Sequence, residues 1–320
     1  MNNAPATLQQ AAAAIRNGRF AVAIDLLKGL LAGQPGDLQA RWMLVQAMEA
    51  GGQRGAALAE VKTLLLHARQ ELADIDRVAA YLLQRRLPLK HALRAYEKYL
   101  SAHPKSANAA FNFAWYLGKD GQFEAAVAKY RYALSLGIDK PEEVHLNIAN
   151  ICMDHLHDHA AAKDHLQKAL ELNPAYGSAY YNLGNLSEQE GAREEAKRCF
   201  EKCLEREPAN ESALARLADT HKFVNADDPL LEKLETAAGN SRNADLLFAT
   251  GKACEQLGEF NAAWRYFSRG NELDKLLMPT YRMQQAEDQF YRIKRRCDRE
   301  WLAQYSGQSH DAIFICGMFR

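Results

Sequence analysis

A pattern of large, small and helix-breaking residues recurs along this chain at intervals of about 34 residues, and few folds satisfy it. The clearest copy is GSAYYNLGNLSEQEGAREEAKRCFEKCLEREPAN, residues 177 to 210. Within it Tyr180, Leu183, Gly184, Gly191, Ala196, Phe200, Cys203 and Pro208 mark the frame. The logic is that of two antiparallel helices. Gly184 and Ala196 lack bulk and allow a close approach, while Leu183 and Phe200 fill the space beside them. Gly191 releases the chain between the helices. Pro208 stops the second helix, because it lacks a donor and clashes with the preceding turn.

The same frame appears upstream in Phe113, Ala114, Gly121, Ala126 and Tyr130, and before that in Ala80, Leu83, Ala92, Tyr96 and Pro104. Earlier copies hold Leu44, Gly52, Ala57 and Val61, preceded by Gly18, Ala23, Leu27 and Pro35. Ile148, Ala149, Ala162, Leu166 and Pro174 form a copy with a lengthened turn, and Leu247, Gly251, Gly258, Ala263 and Phe267 form a late one. Residues 211 to about 243 depart from the frame. The turn glycine is missing, and the chain runs through Asn225, Asp227, Asp228 and Pro229 before a helix at Leu230. That stretch reads as an irregular repeat with a long turn, or as a hinge between two stacks.

These residues resemble the tetratricopeptide repeat. The resemblance implies an all-α, right-handed superhelical solenoid of seven to eight repeats over residues 1–279, irregular at 211–243. It also implies a concave groove lined by the first helix of each pair. A linking helix is expected within 280–310 and a short strand-like remnant at 311–320.

Composition narrows the partners. Forty basic residues balance forty acidic ones, which leaves no net field to hold nucleic acid, whose affinity rests on phosphate neutralisation. No apolar stretch approaches the roughly 20 residues needed to span a bilayer, so no membrane role is expected. The N-terminus MNNAPATLQQ lacks a basic flank and an apolar run, and the six cysteines contain no CxxC. A reduced, cytoplasmic chain is the expectation.

Three asparagines, Asn112, Asn147 and Asn182, repeat at the sixth position of their units, with Asn150 and Asn185 one turn further on and Arg216 in the next unit. An amide both donates and accepts, so a row of them suits an extended backbone whatever its side chains. Phe111, Trp115 and Tyr181 fall near the same surface and complete the candidate peptide groove. Bridging between adjacent helices is the competing role for these amides. The row resembles the asparagine ladder of superhelical glycosyltransferases. The set Asn150, Asn182 and Arg216 resembles part of the carboxylate clamp of chaperone adaptors, although Leu146 and Ser212 stand in its two lysine places.

The run Asp154, His155, Leu156, His157, Asp158, His159, with His165 beyond, has metal-binding residue types. It falls in a turn between two helices, where polar residues are expected anyway, and no metal or other cofactor is predicted.

The chain closes on DAIFICGMFR, residues 311 to 320, behind a basic stretch from Arg292 to Arg299. A short apolar run followed by Gly317 and Arg320 resembles the opening of the donor-binding loop in bacterial proteins that join these repeats to a sulfotransferase domain. The resemblance places the catalytic domain beyond Arg320. The chain as it stands contains no glycine-rich phosphate loop, nucleophile elbow or HExxH, and is not expected to be an enzyme. The expected function is a protein- or peptide-binding scaffold, or alternatively the substrate-recruiting arm of such a sulfotransferase. Self-association through 311–320 is a further expectation.

Overall fold

The computed structural model describes residues 4–67, 71–277 and 283–296. Seventeen α-helices and no strand occur among them. Six helix pairs follow in order: α1 (Ala4–Arg16) with α2 (Phe20–Gly33), α3 (Leu38–Ala50) with α4 (Arg54–His67), and α5 (Leu72–Gln84) with α6 (Lys90–Ala102). Then come α7 (Ala107–Lys119) with α8 (Phe123–Ser135), α9 (Pro141–Asp154) with α10 (His159–Leu172), and α11 (Gly177–Gln189) with α12 (Arg193–Arg206). The short α13 (Glu211–Thr220) packs on α12.

The chain divides into two compact units, one through Lys222 and one from Phe223 onward. The division falls inside the stretch that lacks a turn glycine. In the second unit α14 (Pro229–Ala238) packs on α15 (Ala244–Gln256), which pairs with α16 (Phe260–Leu277). There the Phe223 amide donates to the Gln256 side chain at 2.9 Å, and Arg269 donates to the Ala238 carbonyl at 3.0 Å. Within 280–310, α17 (Met283–Arg296) is described. Residues 311–320, with the expected strand, the Gly317 and Arg320 loop remnant and the self-association segment, lie outside the described residues.

Local chemistry sets the helix ends. Asp37, Ser106 and Asn210 cap α3, α7 and α13, each accepting from the amide three residues on at 2.9, 3.3 and 3.0 Å. Pro35, Pro104, Pro174 and Pro208 follow the ends of α2, α6, α10 and α12, where a helix cannot continue. The turns are anchored from the next repeat: Tyr132 donates to the Pro104 carbonyl at 2.6 Å, and Arg41 to the Pro35 carbonyl at 2.7 Å.

The core is a repeating seam. Ala23, Ala57, Ala92, Ala126, Ala162 and Ala196, one per second helix, are each at most 1% exposed. One turn on, Leu27, Val61, Tyr96, Tyr130, Leu166 and Phe200 are at most 2% exposed. Opposite the largest rings the first helix gives way. A Cβ at Gly184 would overlap the Phe200 ring, and one at Gly251 would stand 2.5 Å from Phe267 Cε1.

The turn between paired helices needs one residue in the left-handed region. Gly18, Gly52, Gly121, Gly191 and Gly258 supply it, with φ of 71°, 78°, 81°, 77° and 79°. In the two pairs without a glycine, Arg86 (φ 55°) and His157 (φ 53°) take the same conformation. Such a backbone costs an ordinary residue about 1–2 kcal/mol.

Two substitutions test this account in opposite directions. Gly184→Leu should lower the unfolding free energy by about 2–3 kcal/mol through overpacking. His157→Gly should raise it by about 1 kcal/mol by relieving the turn. Urea unfolding followed by circular dichroism measures both, and a neutral Gly184→Leu would refute the assigned crossing.

Candidate functional site

Contacts between α1 and α3, between α5 and α7, and between α9 and α11 bring first helices of successive pairs together in the first unit. A cleft of about 360 Å³ opens among α5, α7 and α9, lined by Asp76, Phe111, Asn112, Trp115, Tyr116, Glu143 and Asn147. A second cleft of about 250 Å³ shares Trp115 and Asn147 with it and runs on to Lys119, Asn150, Asp154 and His155. Four of the sequence-predicted residues, Phe111, Asn112, Trp115 and Asn147, thus meet in one concavity, and Asn150 lines its neighbour.

Walls and floor differ in character. Trp115 is the exposed wall, at 36% of its surface, and meets Tyr116 edge-on with centroids 4.8 Å apart. Phe111 packs edge-to-face on Tyr130 at 5.5 Å, so it forms both core and lining. The floor is Asp76. Its carboxylate accepts a short hydrogen bond from the Tyr96 hydroxyl and another from Asn112 Nδ2 at 2.9 Å. Its backbone carbonyl accepts from the Tyr116 hydroxyl at 3.2 Å. Burial pushes the Asp76 carboxyl above its ordinary value, against the lowering effect of those two side-chain hydrogen bonds.

The asparagine row is not uniform. Asn112 is engaged with Asp76, and Asn182 Nδ2 donates to Asn150 Oδ1 at 2.7 Å, so both pairs bridge consecutive first helices. Asn147 is free: among the described residues its amide has no hydrogen-bond partner, and it faces both clefts. Asn185 Oδ1 is buried without a partner. Tyr181 lies tilted against Phe200 at 6.0 Å, which ties it to the α11–α12 crossing.

The clamp-like set is likewise turned inward. Arg216, 48% exposed, pairs with Glu188 at 3.7 Å, and Asn150 and Asn182 satisfy each other. Two unlike charges and two complementary amides lie within reach across α9, α11 and α13, and they neutralise one another.

Sequence reasoning missed Asp76, Tyr116 and Glu143. Glu143 lies one turn before Asn147 and is reached by that helical step, whereas extending the 35-residue row above Asn112 reaches Arg77, and Asp76 is its chain neighbour. On the second helices α4 and α6, a separate basic cleft of about 450 Å³ is lined by Lys62, His91, Arg94 and Lys98 among others.

Three members of the histidine run serve the turn between α9 and α10. His155 stacks on Phe123 with centroids 3.9 Å apart, His157 makes the strained turn, and Asp158 caps α10. Among the described residues no group of three His, Cys, Asp or Glu is placed to hold a metal. His165 instead meets His145, with Nδ1 atoms 2.8 Å apart, one donating and the other accepting. Burial, then the neighbouring His145 and Lys168, push His165 down to about 4. Cys152, Cys199, Cys203 and Cys254 are buried free thiols whose pKa burial raises, which disfavours thiolate chemistry. No described helix is long and apolar enough to cross a membrane.

Comparison with known proteins gives three matches to tetratricopeptide-repeat family models, over residues 14–82, 95–128 and 142–282. The photosystem I assembly protein Ycf3 of Synechococcus elongatus is 34% identical over 122 residues, covering 34% of this chain and 68% of that protein. Among solved structures, the APC/C hetero-tetramer Cut9–Hcn1 matches with 16% identity and a TM-score of 0.50, covering 85% of this chain and 54% of that one. YrrB, described as a TPR protein with an unusual peptide-binding site, matches with 19% identity and a TM-score of 0.40, covering 64% and 96%.

The lowered His165, packed against the half-buried His145, predicts that stability depends on pH. His165 is lowered from 6.5 to about 4, so its contribution is present above 6.5 and is lost as pH falls towards 4. The melting temperature should therefore drop across that window, and His165→Leu should flatten the drop. Calorimetry at stepped pH measures it.

Proposed function

The chain belongs to the tetratricopeptide-repeat family, and on that premise we propose that it is a non-catalytic binding scaffold. Its first-helix face holds an extended segment of another protein. The observation that carries this is the pair of adjoining clefts sharing Trp115 and Asn147. An exposed indole offers a large apolar contact with little rotamer freedom to lose, and the free Asn147 amide can grip a backbone from both its donor and its acceptor. The Ycf3 relative is named for assembling a protein complex, which is a task of the same kind.

Of the nine groove residues, Phe111, Asn112, Trp115, Asn147 and Asn150 line the proposed contact. Tyr181, Asn182, Asn185 and Arg216 continue it along α11 and α13, Asn182 and Arg216 once their pairs with Asn150 and Glu188 open. A second role, the recruiting arm of a phosphosulfate-dependent sulfotransferase, is favoured by Gly317 and Arg320 behind the apolar run at 312–316. Reading the coding sequence beyond Arg320 separates the two, because the arm requires a following Ser-Gly-Thr-Thr-like segment.

An array of randomised decapeptides, followed by fluorescence polarisation on the best binders, tests the scaffold. Trp115→Ala should weaken binding about tenfold or more, as loss of an interface tryptophan commonly does, with helicity and melting temperature retained. Equal affinity for parent and variant would move the groove elsewhere.

A further inference from the structure

The cleft among α5, α7 and α9 has a charge that a generic backbone groove does not need. Two carboxylates, Asp76 and Glu143, line it, and among the described residues no Lys, Arg or His lies within 4.0 Å of either. Asp76 is half-buried and held in place by the Tyr96 and Asn112 hydrogen bonds. A desolvated carboxylate without a counter-charge is costly, and a cation brought beside it relieves that cost.

The remaining walls suit the same visitor. Phe111, Trp115 and Tyr116 are aromatic, and ring faces attract cations. Trp115 already has Lys119 Nζ at 5.1 Å from its ring centroid, so its indole accepts a cation in this fold. Lys119 itself belongs to the adjoining cleft.

The wider charge distribution agrees. The chain is neutral overall, but its charges are sorted by helix. Helices α5, α7, α9, α11 and α13 together carry eight acidic against three basic residues. Helices α6, α8, α10 and α12 carry twelve basic against eight acidic. A partner approaching the first-helix elements meets an excess of negative charge, which steers and selects by sign.

We infer that this cleft is a specificity pocket for a basic side chain, the guanidinium or ammonium of an arginine or lysine carried on an extended peptide. The cation sits between the Asp76 and Glu143 carboxylates with its stem along Trp115, and Asn147 takes the adjacent peptide group. This rests on the scaffold reading above and adds to it the chemistry of the occupant.

The test uses the full chain and fluorescence polarisation. The best array binder is resynthesised with its central residue as arginine, lysine, norleucine or glutamate. Arginine and lysine forms should bind about tenfold or more tighter than norleucine, and the glutamate form weakest. The preference should shrink as salt rises from roughly 0.05 M to roughly 0.5 M. Glu143→Gln should reduce the preference severalfold, by weakening the arginine and lysine forms far more than the norleucine form. Asp76→Asn should do the same, but Asp76 also anchors two helices, so Glu143→Gln is the deciding variant if Asp76→Asn loses helicity. Peptides that bind without preference for a basic residue, or an unchanged preference in Glu143→Gln, overturn the pocket and leave the scaffold standing. Failure of every array peptide to bind overturns both.

Discussion

Two antiparallel helices exclude water from their seam only where one gives up bulk opposite the other's side chains, and this exchange underlies every pair described here. Alanines at the second-helix crossing are almost fully buried in repeat after repeat. Where the second helix carries a phenylalanine ring, the first helix yields further and presents Gly184 or Gly251. Each pair is therefore closed by its own volume balance, and the array grows by repeating that balance with small adjustments.

Closing the pairs this way leaves the exposed side of the first helices free of core duty. Polar groups there have neighbours in the next repeat, and several use them. Asn112 reaches Asp76 and Asn182 reaches Asn150, each across consecutive first helices. These bridges tie the Asp76, Asn112, Asn150 and Asn182 side chains to one another across the lining. The polar row is thus partly scaffold and partly surface, and the division between the two is set by distance between repeats.

Strain appears where the repeat departs from its own rule. Arg86 and His157 hold the left-handed turn that glycine holds elsewhere, and the stretch without a turn glycine is where the compact units part. Of the histidines that suggest a metal by residue type, His157 holds the turn, His155 stacks on Phe123 and His165 pairs with His145.

The sequence by itself determined the helical repeat, its period, the crossing residues and most of the turns, because these obey short-range rules. A glycine opposite a phenylalanine, or a proline two residues past a helix, has one physical meaning wherever it occurs. It also placed Phe111, Asn112, Trp115 and Asn147 on one face through their helical spacing. What it left open was pairing between repeats. Whether Asn182 meets Asn150 or solvent, whether Arg216 meets Glu188, and whether Asp76 lies under Asn112 depend on ångström-scale offsets between helices of successive repeats. Those offsets come from the packed volumes of every intervening side chain. Only the tertiary structure decided them, because a hydrogen bond requires an approach of about 3 Å, which a sequence period cannot resolve.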